Sequence, residues 1–350
     1  MSESPQSAPP ARRLPAEWEP QAAVLLSWPV PGAGWGAHNP AVRAAWLTLA
    51  RHIQRFQPLL VNLPPALDDA AARAALARLD PARLTLVSVP TDDNWVRDFG
   101  PLTVYQDGQA RWLDFRFDGW GGKFPAARDD AFTGRLAAAL PDAPPVERSS
   151  LVLEGGAIDS DGAGTVLATR RCLLDPRRNP GLDAATLAAH LRATLGVRRI
   201  LWLDNGWLAG DDTDGHIDML ARFCDRHTIA HVVCPDRADP HHAPLAHLAA
   251  ELAALRTADG RPYRLVPLPL PDPIHDEQGA RLPASHANFL IVNGAVLVPV
   301  YDVPQDAAAL AALAGAFPGR KIVPVPARAF IRQGGSVHCQ TMHLPQRHAR

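Results

Sequence analysis

Short apolar runs alternate with polar stretches rich in Gly and Pro along most of the chain, and few runs reach helical length. Ala22–Trp28 and Leu59–Asn62 read as buried strands, with helical spacing over Ala41–Arg55 between them and over Asp68–Leu79 beyond. Leu84–Val89 is a further strand. Strands near Leu102–Tyr105 and Arg111–Phe115 follow, then a helix over Ala127–Leu140. Val152–Ser160 and Thr165–Thr169 read as a hairpin turned at Asp161-Gly162. Asp183 is placed to cap a helix running to Leu195, and Arg199–Leu203 is a strand. Met219–Phe223 pairs with Thr228–Val233, Pro244–Leu255 is helical with proline in its first turn, and Arg264–Pro267 is a strand. Beyond a Pro-rich loop over 268–287, Asn288–Val292 and Ala295–Pro299 form a hairpin turned at Asn293-Gly294. Helix Asp306–Phe317 and strand Ile322–Val325 complete the pattern.

A unit of two strands, a helix and a strand recurs, its helices about sixty residues apart from Leu102 onward. The units share organisation and no visible identity. That period points to a radial or solenoid α/β array; a doubly wound sheet would alternate single strands with helices. No composition break divides the chain, so residues 14–345 are expected to form a single domain. Residues 1–13 are polar and Pro-rich, lack the apolar segment of a signal peptide and are expected to be a disordered tail.

The densest chemistry is Asp211-Asp212-Thr213-Asp214-Gly215-His216-Ile217-Asp218, four carboxylates and a histidine that lead straight into Met219-Leu220-Ala221. As a strand, this segment would project His216 and Asp218 from one face. That pairing suits a site that holds a cation and moves protons; the alternative is an acidic turn that caps a strand. Formal net charge is −1 over 350 residues, so nothing in the overall field favours nucleic acid or an acidic membrane. No run of eighteen apolar residues suggests a membrane span. Cys172, Cys224, Cys234 and Cys339 form no CxxC pair, which fits a reduced, cytoplasmic protein.

Cys339 follows Gly334-Gly335, where the backbone can turn tightly or approach a ligand. It is either an activated nucleophile or a small buried hydrophobe, the reading that suits the other three cysteines. Glu154 interrupts an apolar run ahead of Gly155-Gly156; it is either a buried acid in need of a partner, such as a histidine, or a strand end facing water. Trp95-Val96-Arg97-Asp98 sets a carboxylate near an aromatic wall, which suits a flat cation. His216, Asp218, Glu154 and Cys339 could all ligate a metal, but no HExxH, HxH or CxxC spacing supports one. His338, His286, His241, His242 and His247 are assigned structural or surface positions. On a strand, His338 would point away from Cys339.

In their order, these motifs resemble the agmatine deiminase family of the guanidine-modifying (pentein) superfamily. The resemblance runs through Leu14–Pro20, Trp95–Pro101, Trp120–Lys123, Leu153–Gly156, Cys172–Pro180, Asp212–Asp218, Ser285–Phe289 and Gly334–Thr341. It implies the pentein fold, a five-bladed ββαβ propeller with pseudo-fivefold symmetry and its site at the central axis. It further implies Cys339 as nucleophile, His216 as general acid and base, Glu154 orienting His216, Asp98 and Asp218 gripping a guanidinium, and Trp95 lining the pocket. The implied reaction is deimination of agmatine to N-carbamoylputrescine and ammonia, with no cofactor, no metal and a small cationic guanidine as partner. A homodimer or higher homo-oligomer is expected. Better-known members carry glutamate where this chain has Asp212, a substrate-amine position, and asparagine where it has Asp214. Other guanidines, such as a peptide's C-terminal arginine, and amidinotransfer therefore stay open, as do a metal hydrolase and a binding propeller without turnover.

Overall fold

The computed structural model describes residues 12–30, 34–65 and 70–348. Strand β1 (Arg12–Arg13) leads into β2 (Gln21–Ser27), and β2 pairs in parallel with β3 (Leu59–Asn62), itself parallel to β4 (Leu84–Val87). From there one unit repeats. β5 (Leu102–Gln106), β6 (Gln109–Arg116) and β7 (Val146–Val152) form an antiparallel then a parallel pair. So do β8 (Ile158–Ser160), β9 (Thr165–Thr169) and β10 (Arg199–Leu203). The same order holds for β11 (Ala221–Asp225), β12 (Thr228–Val233) and β13 (Arg264–Pro269), and for β14 (Leu290–Val292), β15 (Ala295–Val300) and β16 (Lys321–Pro326). In each unit a helix bridges the parallel pair, as a parallel connection requires. The last strand, β17 (Thr341–Pro345), runs antiparallel to β2 and makes the final sheet from both ends of the chain. Five small mixed sheets result, which agrees with the five-bladed ββαβ arrangement.

Side-chain spacing explains the units. In helix Ala184–Leu195, Leu187, Leu191 and Leu195 recur at four-residue steps and are fully buried, each contributing about 2 kcal/mol. Asp183 caps it by accepting from the Thr186 N–H (2.8 Å), and Gly196 ends it in the left-handed conformation. Every residue of β9 and β14 is buried, because the sheets are covered on both faces. No described helix is long and apolar enough to cross a membrane.

Several expectations need correction. Arg12 and Arg13 are not tail: β1 pairs with β5, Arg12 forks onto Glu147 and Arg13 pairs with Glu19. The remaining tail, 1–11, lies outside the described residues, as do Asp68 and Asp69 of a helix that spans Ala70–Leu76. Val152–Ser160 is not one strand. β7 ends at Val152, a 3-10 turn spans Gly155–Ala157, and only β8 pairs with β9. The helix over Ala127–Leu140 shrinks to Phe132–Ala139. His216 and Asp218 do not share a strand either. Asp214 and Gly215 both take positive φ, which turns the chain into a 3-10 helix at Ile217–Met219.

Candidate active site

The segment just before the first strand of each antiparallel pair faces one common region. Asp98 precedes β5, Glu154–Gly156 precedes β8, His216–Asp218 precedes β11, Asn288 precedes β14 and Cys339 precedes β17. Five sheets thus each contribute at least one polar group to one place, and all six side chains are buried.

Cys339 Sγ accepts from Asn288 Nδ2 (3.2 Å) and lies 3.7 Å from Asp218 Oδ2. Asn288 Oδ1 in turn holds the backbone N–H groups of His338 (2.9 Å) and Cys339 (3.3 Å). Asp98 accepts from Trp120 Nε1 (2.9 Å) and the Gly156 N–H (3.0 Å), and its Oδ1 stands 3.7 Å from His216 Nδ1. That last gap is too long for a hydrogen bond. Both ring nitrogens of His216, Asp218 Oδ1 and Glu154 Oε2 have no hydrogen-bond partner. Buried polar atoms without partners are costly, and here their unused acceptors converge on one spot.

Gly156 runs between these groups. A Cβ there would lie 2.6 Å from His216 Nδ1, 2.9 Å from Asp98 Oδ1 and 3.1 Å from Asp218 Oδ2. Its φ is not positive, so space alone excludes a side chain. Gly335 similarly lets the Trp95 ring lie against its backbone. Trp95, Asp98 and Cys339 line a cavity of about 790 Å³, whose mouth carries Asp92, Asp93, Asp212, Arg128 and Arg332.

Charge states follow from burial. Burial, then the neighbouring Asp218 charge, push Asp98 well above the ordinary carboxylate range. Burial also penalises charge on Asp218, but the His338 hydrogen bond and the nearby His338, His216 and Arg222 outweigh it and hold this carboxyl low. Burial drives His216 down to about 3, so its ring is neutral. Burial, Asp218 and Asp98 together push the Cys339 thiol well up. At rest the site holds a protonated thiol beside a neutral imidazole.

His338 lies between Asp218 Oδ2 (2.8 Å from Nδ1) and Glu17 Oε2 (2.6 Å from Nε2). Each ring nitrogen thus faces a carboxylate oxygen. Arg222 (3.1 Å) and Arg97 (3.5 Å) also approach Glu17. Of the two readings of His338, surface or structural, the structural one fits: the residue is buried in the turn before β17, where its ring does not point away from the site but holds a site carboxylate.

Arg178 binds Glu154 Oε1 through Nε (2.7 Å), Asp214 Oδ2 (2.9 Å) and the Thr213 carbonyl (2.9 Å). Lys123 also reaches Asp214 Oδ2 (2.7 Å), so Asp214 is a structural anchor for the acidic loop. Glu154 makes no hydrogen bond to His216, although a carboxylate oxygen and a ring nitrogen lie within 4.8 Å. The structure therefore brings Cys339, His216, Glu154, Asp98, Asp218 and Trp95 together and sets Asp212 at the cavity mouth. Asn288, Arg178, His338 and Glu17 escaped the sequence reading. Asn288 had a signal: it occupies the pre-strand position that carries chemistry in every other sheet.

Comparison with known proteins finds relatives over nearly the whole chain. The sequence profile of the family described as Porphyromonas-type peptidyl-arginine deiminase matches residues 13–345. An agmatine deiminase of Pseudomonas aeruginosa is 35% identical over 98% of both chains. The structure of a cysteine-to-serine variant of the C. jejuni agmatine deiminase, with substrate bound, superimposes with a TM-score of 0.89 at 32% identity, over 97% of each chain. A Porphyromonas gingivalis structure, whose own description as an arginine deiminase is provisional, gives a TM-score of 0.90 at 42% identity over 97% of this chain and all of that one.

Proposed function

Because the chain belongs to the Porphyromonas-type peptidyl-arginine deiminase family, within the pentein superfamily, we propose that it hydrolyses agmatine to N-carbamoylputrescine and ammonia through a thiouronium on Cys339. The observation that carries this is the placement of two buried carboxylates, Asp98 and Asp218, beside the Cys339 thiol, with Asp218 Oδ1 left unbonded. A guanidinium is planar and rich in N–H donors. Two carboxylates can hold it in forks with its carbon in front of sulfur.

The bound cation offsets the Asp218 charge that, with burial, keeps the thiol protonated. Cys339 then gives its proton to neutral His216, and the thiolate attacks the guanidinium carbon. His216 returns the proton to one amino group, which leaves as ammonia, so a C–S bond replaces a C–N bond. A water molecule attacks the thiouronium while His216 takes its proton. Collapse of the adduct expels the Cys339 thiolate, which takes the proton back from His216, and leaves a urea whose extra proton passes to solvent. Asn288 Nδ2 donates to sulfur and steadies it as attacking and leaving group. Glu154, held by Arg178, faces the imidazolium that forms. His338 acts as a positioning residue that keeps Asp218 ionised.

Agmatine's second charge favours the acidic mouth. Burial lifts Asp93 to about 7, and burial raises Asp212 against the pull of Lys123; an ammonium would favour the ionised form of both. A second reading, a guanidine bearing a distal carboxylate such as a peptide's C-terminal arginine, draws on Arg128 and Arg332 at the same mouth. Both already face acids, Asp92 at 3.6 Å and Glu277 at 2.8 Å, so the agmatine reading stands first. Ammonia release measured with agmatine, free arginine and an arginine-terminated peptide in parallel separates them. Release from agmatine above the others by at least tenfold is expected; equal or greater release from arginine or the peptide overturns the substrate assignment, and none from any overturns the reaction.

Binding should also expel a proton. Burial and Asp218 shift Asp98 toward its protonated form in the free site, and a carboxylate fork must be ionised. Agmatine affinity therefore rises with pH until it passes the Asp98 value. Calorimetry of Cys339→Ala with agmatine, in buffers of different ionisation enthalpy, should report net proton release, to which Asp93 also contributes, and less of it once Asp98→Asn is added. Proton uptake, or none, removes Asp98 from the grip.

A further inference from the structure

Glu154, Cys172 and His216 each offer one ligand atom, and these atoms lie within 4.8 Å of one another. All three side chains are fully buried. Glu154 Oε2 and both His216 nitrogens have no hydrogen-bond partner. The trio is braced from two sides. Thr169 Oγ1 accepts from the Cys172 N–H (3.3 Å) and donates to the carbonyl of Gly215 (2.7 Å), the residue before His216. Arg178 binds Glu154 Oε1 (2.7 Å) and the Thr213 carbonyl of the loop that carries His216 (2.9 Å).

We infer that Glu154, Cys172 and His216 form an inhibitory site for a thiophilic divalent cation of the zinc class. One carboxylate, one thiolate and one imidazole are donors that zinc takes in tetrahedral geometry, with the fourth position left open. Ligand atoms around tetrahedral zinc sit about 3.5 Å apart. The trio would have to close by roughly 1 Å to reach that spacing. Coordination replaces the Cys172 proton, which leaves to solvent, so binding weakens as pH falls. Burial and the Glu154 charge keep the free thiol protonated, while Arg178 favours the thiolate once it forms. The metal occupies a His216 lone pair that the proposed hydrolysis needs, and it leaves Cys339, Asp98 and Asp218 in place. The inhibitory consequence rests on the proposed role of His216; the binding itself does not.

The test uses the full chain carrying Cys339→Ala, so that the other site thiol cannot bind, and Co²⁺ as the probe. One equivalent should bind with a sulfur-to-cobalt charge-transfer band in the near ultraviolet, and adding Cys172→Ser should remove that band. In the chain with Cys339 intact, Zn²⁺ should inhibit ammonia release. Cys172→Ala should raise the half-inhibiting zinc concentration at least tenfold while turnover in chelator stays within threefold. Should the Cys172 variants fail to fold by near-UV circular dichroism, zinc X-ray absorption on Cys339→Ala decides, one sulfur in the shell being expected. A sulfur-free shell, a cobalt band that survives Cys172→Ser, or no metal bound to Cys339→Ala overturns the proposal. An intact cobalt spectrum in a chain that releases no ammonia from any guanidine instead overturns the proposed function alone.

Discussion

Cys339→Ala is expected to abolish ammonia release from agmatine, by a factor on the order of 10⁴ or more, while the guanidine still binds. The substitution removes the attacking atom and leaves the carboxylates on either side of it. Sγ sits 3.7 Å from Asp218 Oδ2 and 3.2 Å from Asn288 Nδ2, so truncation to a methyl opens a space one atom wide and disturbs no ion pair. Loss of the buried thiol also removes a group that both acids push toward its neutral form. Agmatine affinity, read by calorimetry, should therefore hold or tighten. Turnover within tenfold of the parent would mean that water attacks the guanidinium directly, and the covalent route would be wrong.

Gly156→Ala is expected to cost at least about 100-fold in kcat/KM, because misplacement by about 1 Å near the chemistry already costs that much. The new methyl would meet His216 Nδ1 at 2.6 Å, Asp98 Oδ1 at 2.9 Å and Asp218 Oδ2 at 3.1 Å. None of the three can retreat freely. Asp98 is tied to Trp120 and Asp218 to His338, while His216 is packed with no exposure. Relief must come from the Gly156 backbone, whose N–H is itself bonded to Asp98. The folding cost should be that of an overpacked core, about 1–3 kcal/mol. A well-folded Gly156→Ala chain with more than a tenth of the parent kcat/KM would show that the three groups do not act at the spacing seen here.

The repeat was legible because its signals are local. Hairpins at Asp161-Gly162 and Asn293-Gly294 and amphipathic helices such as Ala184–Leu195 declare themselves within a few residues. Strand β7 hid because Glu147, Arg148, Ser149 and Ser150 make up most of it, and only its end is buried. Strand β1 hid because two arginines look like tail until Glu147 and Glu19 arrive from elsewhere. The chemically distinctive site residues could be picked out by type: a cysteine after two glycines, a glutamate in an apolar run, a histidine among acids. Asn288 could not, since amide side chains are common and neutral. Glu17 meets His338 from 321 residues away, a distance over which local pattern carries no information. The strand reading of His216 and Asp218 failed on backbone alone: positive φ at Asp214 and Gly215 aims the segment, and a 3-10 turn delivers both groups to the same place.

Pairing β17 with β2 has a consequence for how the protein is born. A ribosome makes chains from the N-terminus, and early segments can fold as they emerge. Four of the five sheets are complete before Cys339 is added, yet β2, the partner that β17 needs, emerges before any of those four is complete. The thiol precedes that closing strand by a single residue, Gln340. A product that stops short of residue 339 thus lacks the proposed nucleophile and the clasp together. On the proposed chemistry, loss of the segment from Cys339 onward would silence the chain as completely as damage to its centre.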